Sequence, residues 1–382
     1  MKNLVFMNSF QKLIDPRIDR KKLYPLQEIL LVALATLLCG GETYDDMRLF
    51  GVSKLAMFKT LMPFKNGIPS RHTFERVFEL LNPKEFQQCF FEWVHSLKIT
   101  CPEIKKVEVL AVDGKTLRGS AKPSRGVKPL HIVEVWATRN RLVLGNCTVD
   151  EKSNEITAIP KVLRLLSLEG SIVTIDAMGC QVAIAQQIID QRGDFIIALK
   201  GNQGLLHKDV KRMFDENAHY IIKNISIDHH STIDKNRGRT TTREYSFCSQ
   251  VDWLKKRHPK WSMINSVGCV KSVSIIKGKQ TEEIRYYISS LKENVQLFAH
   301  AVRAHWGVEN SLHYVLDVTF GEDFSNIRNR NAAENVAIVR RMGVNLLESS
   351  KKYLPQKISK KGMRLKAGWD DEYLKRVLTQ DF

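Results

Sequence analysis

Three carboxylates carry the chemistry this sequence offers. Asp113 ends the apolar run VEVLAVD, and Lys115 and Arg118 follow it in VLAVDGKTLRGS. Asp176 ends a second apolar run in TIDAMG. Burying an unpaired charge is costly, so an acid in such a place is not a packing residue. If the two runs are neighbouring strands, both side chains leave the same edge of the sheet, and two close carboxylates repel. A divalent cation relieves that repulsion. The plainer alternative for Asp176 alone is a cap on the helical run behind it. A third acid is expected from a helix packed across this edge. His305, Glu309, His313 and Asp317 recur every four residues and form a polar stripe on a helix. Glu309 is the preferred third acid and Asp317 its rival; for any one of these residues a solvated face is the plainer account.

The ligand types select the ion. HWGVENSLH is not the zinc pattern His-Glu-x-x-His, and hard oxygen donors point to Mg²⁺ or Mn²⁺. Two such ions about 3.5 to 4 Å apart can activate water and stabilise the leaving oxygen of a phosphodiester. GKTLRGS is not a P-loop, and no dinucleotide fingerprint follows the first strand. Cutting or joining of phosphodiesters is therefore the expected class. A metal-dependent phosphatase would leave the charge of the chain unexplained. Lys115 and Arg118 read either as a solvated loop after the strand or as phosphate contacts beside the ions, and His305 as a phosphate contact or a residue that orients Glu309.

These residues need elements to position them. Residues 1–98 read as helices. Gly40-Gly41 stops the first long one, Thr43 caps the next with Asp46 as reciprocal partner, and Ser70 caps SRHTFERVFELL. In that helix Phe74, Val77, Phe78 and Leu81 share one face, leaving Arg71, His72 and Arg76 outside, where a basic helix can meet DNA. After Pro102 the pattern becomes three strands, helix, strand, helix, strand: VEVLAVD, HIVEVWAT, LVLGNCTVD, EITAIPKVLRLLSL, SIVTIDA, QVAIAQQIIDQRG and DFIIALKG. An antiparallel meander followed by two crossovers is the order of a ribonuclease H-like mixed α/β sheet. Pro160 is tolerable only near the first turn of its helix. Residues 221–290 read as a mostly β insertion, with DKNRGRTTTRE as a polar turn. A long helix follows from Val295. Three domains result: a helical one over 1–98 that binds DNA, a catalytic one over 99–348, and a basic tail over 349–382 that touches DNA or stays mobile.

Composition agrees with this reading. The 382 residues carry a formal charge of +18, which suits a polyanionic partner, most simply double-stranded DNA. Seven dispersed cysteines without a Cys-x-x-Cys pair read as reduced thiols. The greasiest run, QEILLVALATLLC, is shorter than the roughly 20 residues needed to span a bilayer, and no signal peptide is evident. A cytoplasmic protein without membrane contact is expected.

With these blocks in view, nearly the whole chain resembles the ISAs1-type insertion-sequence transposases, or H-repeat-associated proteins, within the wider group of transposases with an Asp-Asp-Glu triad. DPRIDRKKLYPLQEILLVALATLLCGGETYDDM with NGIPSRHTFERVFELLNP resembles the associated N-terminal domain. AVDGKTLRGS, TIDAMGCQ with IALKGNQ, and RAHWGVENSLHYVLDVTFGED resemble the three catalytic blocks. The resemblance implies cleavage at the ends of a mobile element, transfer of those ends to target DNA, a homo-oligomer joining two ends, and a triad of Asp113, Asp176 and Glu309 holding two Mg²⁺ ions. NRGRTTTRE resembles a block usually written His-Gly-Arg, with Arg237 in the histidine's place. Relatives with a Tyr-Arg-Glu-Lys signature carry an arginine and a lysine where this chain has His305 and Leu316, so their DNA-contact roles do not transfer. A nuclease without strand transfer and a non-catalytic DNA-binding relic are the competing readings. For smaller parts, Asn202 is expected to cap the helix beyond it, Asn310 to orient Glu309, and Arg328 to be a possible partner of Asp317.

Overall fold

The computed structural model describes residues 4–99, 107–121, 124, 126–149, 154–215, 225–236, 238–292, 294–354 and 356–381. Its centre is one mixed sheet. In chain order the strands are β1 (Glu108–Leu117), β2 (Leu130–Ala137), β3 (Leu142–Thr148), β4 (Ser171–Ile175), β5 (Asp194–Leu199), β6 (Asp228–Asn236), β7 (Arg239–Cys248), β8 (Ser266–Ile276) and β9 (Lys279–Ser289). Across the sheet the order is β3-β2-β1-β4-β5-β9-β8-β7-β6. Strands β1 to β3 pair antiparallel, as a hairpin meander permits. Strands β1, β4 and β5 pair in parallel, with the helices Glu155–Leu163 and Val182–Asp190 as crossovers. The first five strands thus form the expected ribonuclease H-like sheet.

The remaining strands are the expected mostly β insertion, lying in chain order between β5 and the helix from Val295. They widen the sheet, because β9 pairs antiparallel with β5 and carries β8, β7 and β6 outward. DKNRGRTTTRE is mostly strand: only a tight turn at Gly238, with φ +77°, separates β6 from β7, and Arg237 lies outside the described residues. The Thr240–Thr242 run supplies the β-branched residues that favour a strand. Polar edge strands of this kind resist adding a further strand.

The N-terminal helices share a core with the sheet layer. Helix Leu26–Leu38 is apolar on every side and nearly all of it is buried. Thr43 and Asp46 make the reciprocal cap, whereas Ser70 stands at its cap position with its hydroxyl on Thr73 Oγ1 instead. The long helix Arg330–Ser350 is the bridge: Asn335 donates to the carbonyls of Phe78 and Leu81, while Asn345 binds both backbone groups of Val143 on β3. The stretch expected to be a basic tail is instead two helices, Lys360–Trp369 and Asp371–Thr379. Met363, Ala367, Leu374, Val377 and Leu378 are buried, and Arg364 donates to the carbonyl of Leu37. The lysines between these apolar positions conceal the helical period from a composition-based reading. Pro160 is another departure. Its helix begins at Glu155, so the proline sits past the first turn. Among the described residues no helix is long and apolar enough to cross a membrane.

Candidate active site

The parallel register builds the acid edge. The last paired residues of β1 and β4 are Val112 and Ile175, so Asp113 and Asp176 come next on adjacent strands, about 5 Å apart in backbone spacing. β1 does not end at Asp113 as expected. It continues to Leu117 against β2, because β4 stops first. Gly114 N donates to Asp113 Oδ1 at 2.9 Å. Asp176 does cap a turn: its Oδ1 accepts from Met178 N at 3.0 Å and, more loosely, Gly179 N at 3.4 Å. Its other oxygen takes no hydrogen bond among the described residues. Asn202 does not cap the helix beyond it. It donates to Ala177 O at 2.7 Å and so ties the β5 loop to the Asp176 turn.

The helix from Val295 crosses this edge. It is α-helical to His305, then contains π-helical segments at Glu309–His313 and Val315–Thr319. Such segments recur at functional sites. The four-residue stripe faces the sheet strand by strand. His305 Nδ1 lies 3.0 Å from Thr174 Oγ1 on β4. Glu309 is exposed and lines a cavity of about 150 Å³ together with Asp113, Asp176, Lys200 and Arg285. His313 Nε2 lies 3.1 Å from Glu134 Oε2 on β2, with Nδ1 3.7 Å from Asp113 Oδ2. Asp317 is bound by Lys115 on β1. The solvated-face account of the stripe therefore does not hold for His313 or Asp317, both committed to partners on the sheet.

Electrostatics separates the acids. Burial pushes Asp113 up to about 6; His313 opposes this, and Asp176 and Glu155 add to it. Burial and Glu155 likewise raise Asp176, against Lys200. Glu155 was not anticipated from sequence. It opens the crossover helix, its Oε1 lies 2.5 Å from His131 Nε2, and a Cβ on Gly114 would meet that same oxygen at 2.1 Å. No motif marked it, since its approach depends on where β2 and the crossover lie.

Several candidates change role. Lys115 is buried, bound by Asp317 and within 3.9 Å of Glu322 and 3.8 Å of Asp323, so its ammonium is not presented to a phosphate. Asp317, the rival third acid, is spent on the same pair; its partner is Lys115, not Arg328. Burial pushes His305 down to about 4, so it reaches the cavity as a neutral ring. Asn310 reaches toward Trp306 O at 3.4 Å and not toward Glu309. Arg118 is exposed beside Asp323. Arg71, His72 and Arg76 lie outside on their helix, the first paired with Asp45 at 3.0 Å and the second 3.5 Å from Glu75.

Hard carboxylate oxygens with raised proton affinity are the donor set a divalent cation would relieve, and Asp113 with Asp176 fits it. Among the described residues no three of His, Cys, Asp and Glu form a group that could hold a metal ion, although Glu309 lines the same cavity as the two aspartates.

Fold and edge together define a class: a ribonuclease H-like protein with acids where its central parallel strands stop pairing. Two family models match the chain, DDE_Tnp_1-associated over residues 7–94 and the transposase DDE domain over residues 105–346. The chain belongs to the DDE-domain transposase family, and within it to the insertion-sequence transposases of the H-repeat-associated type. It is 37% identical over 371 residues to the "H repeat-associated putative transposase YhhI" of Escherichia coli (strain K12), covering 95% of each chain. It is equally identical, over 340 residues, to the "Putative transposase YncI" of Escherichia coli O157:H7, covering 88% of this chain and 85% of that one. Among solved structures, a piggyBac transposase synaptic complex with hairpin DNA aligns with a TM-score of 0.41 at 11% identity, over 98% of this chain and 77% of that chain, too loose a likeness to argue from.

Proposed function

We propose that this transposase cuts DNA at the ends of its mobile element and joins the freed ends to target DNA, with Asp113, Asp176 and Glu309 as its acids. The observation that carries the reading is the in-register Asp113 and Asp176 pair, both raised by burial, with Glu155 adding to each and Asp176 adding to Asp113, in one cavity with Glu309. These three residues would hold Mg²⁺, or Mn²⁺, as two ions. Bound there, the ions would supply Lewis-acid stabilisation of the attacking and leaving oxygens. Gly114 N and the Met178 amide fix one oxygen of each aspartate, and Asn202 fixes the turn that carries the second. Lys200 and Arg285, which line the cavity, bring positive charge to the phosphate, and exposed Arg118 extends it. Arg71, His72 and Arg76 form an outer basic face for duplex DNA.

The first step is attack of water oxygen at phosphorus, which breaks the P–O3′ bond and leaves a 3′-OH and a 5′-phosphate. In the second, that 3′ oxygen attacks a target phosphorus and displaces the target's own 3′ oxygen. A multimer would hold two ends for this step.

The test uses DNA taken from both flanks of the gene, including any inverted repeats that sequencing finds there. Wild-type protein with Mg²⁺ should nick and then join these ends. Asp113→Ala and Asp176→Ala should bind the DNA without cutting it. Cutting by both variants would refute the assignment, and cutting without joining would favour a nuclease. Loss of cutting in Asp317→Ala but not in Glu309→Ala would move the third acid. Thermal stabilisation by Mn²⁺, present in wild type and lost in Asp113→Ala, reads the ion site without activity.

A further inference from the structure

Beyond the acid cavity lies a second, larger groove of about 400 Å³. The two share Arg285, Tyr287, Val302 and Trp306 and so lie side by side. The groove's floor is the face of β7, β8 and β9 past the point where the Val295 helix covers them. Cross-strand register puts Thr241, Ser274 and Thr281 in one row and Arg243, Ser272 and Glu283 in the next. Arg239 stands at the far end. Arg285, stacked over the Trp306 ring at 4.0 Å, stands at the junction with the acids, and Arg303 contributes from the helix wall.

The charges do not cancel. Arg243 binds Asp234 Oδ2 at 2.5 Å, and Arg303 shares that same oxygen at 3.4 Å. Arg285 binds Glu283 at 2.7 Å, and Glu282 lies 3.4 Å from Lys271. Arg239 has no carboxylate partner among the described residues. Its guanidinium is instead held by two hydroxyls, Thr241 Oγ1 at 3.1 Å and Ser274 Oγ at 2.9 Å, which also bond each other at 3.0 Å. Both hydroxyl residues are buried. Hydroxyls orient a guanidinium without neutralising it. A planar cation held in place and left without a counter-charge suits a phosphate.

We propose that this groove is a phosphate track for the DNA strand continuing past the scissile bond, with Arg239 as its far anchor and Arg303 as its wall contact. This rests on the DNA reading above and adds a surface to it. Each phosphate contact releases condensed counterions, so removing one flattens the salt dependence of binding by about one unit of slope.

The test is anisotropy of a fluorescein-labelled mixed-sequence duplex with full-length protein in EDTA, across a KCl series. Arg239→Ala with Arg303→Ala should weaken binding about tenfold and reduce the slope by about two. Thr241→Val with Ser274→Ala keeps the charge but frees the guanidinium, and should weaken binding with the slope unchanged. Arg192→Ala, an exposed residue paired with Glu169 just before β5, is the control. Unchanged affinity and slope in a double arginine variant with native circular dichroism would overturn the proposal. So would an equal effect from Arg192→Ala, since bulk charge would then suffice. Failure of the wild type to cut its element ends would sink the catalytic reading alone, because these slopes are measured without cleavage.

Discussion

Two clusters of charge meet the same helix and follow opposite rules. Under its C-terminal half, Arg341 from the long helix is bound by Glu134 of β2 and by Glu322, and all three are buried. His313 adds a hydrogen bond to Glu134, and Lys115 joins Asp317 beside Glu322 and Asp323. Burial opposes ionisation of Glu134, yet Arg341 and His313 pull it down to about 2. Next to it, Asp113 and Asp176 line the acid cavity, the charge of Glu155 adds to both, and burial pushes Asp113 up to about 6. One cluster is closed by opposite charges; the other holds like charges with room in front of them. His313 touches both, with Glu134 on one ring nitrogen and Asp113 on the other. Matched charge thus holds the helix against the sheet, and the charge next to it is left unmatched. Function is to be sought where pairing is incomplete.

The contrast can be broken from its closed side first. Arg341→Met leaves Glu134 and Glu322 buried without their cation and should cost about 3–5 kcal/mol, read by urea unfolding. An effect below about 1 kcal/mol would show that the cluster contributes specificity and little stability. The open side should respond with the opposite sign. In metal-free protein Asp113→Asn removes a buried like charge and should raise stability by about 1 kcal/mol, while stabilisation by added Mg²⁺ disappears. A destabilised Asn variant would mean that Asp113 is already balanced without a cation. A further effect concerns acid. Glu134 has a depressed proton affinity in the folded state, so its contribution is present above its ordinary value near 4.5 and is lost as pH falls through about 2. Glu134→Gln should remove this component from the acid limb of the stability profile, and an unchanged limb would refute the pairing.

Much of the catalytic layer was legible in the chain. Strand β1 is read from VEVLAVD and β4 from SIVTIDA because alternating and continuous apolar runs are local signals, and their crossover lengths leave few topologies. Asp113 and Asp176 stood out because an acid after such a run breaks the local pattern. What escaped depended on distant partners. Lys115 looked like a loop cation, but β1 runs on through it and Asp317 meets it from a segment 202 residues away in sequence. Arg364 and its apolar neighbours looked like a basic tail because their partner, the helix Leu26–Leu38, comes from the other end of the chain.

The sequence by itself determined the elements of the five-strand core and its crossovers, their order and the two acids at the ends of apolar runs, since propensity, periodicity and connection length act over a few residues. Only the tertiary structure decided which charges are neutralised and which remain open. That choice is Coulombic and set by burial: it turns on distances between residues far apart in the chain, and the same lysine or aspartate is a solvated surface group, a buried ion pair or a candidate ligand according to what the fold brings against it.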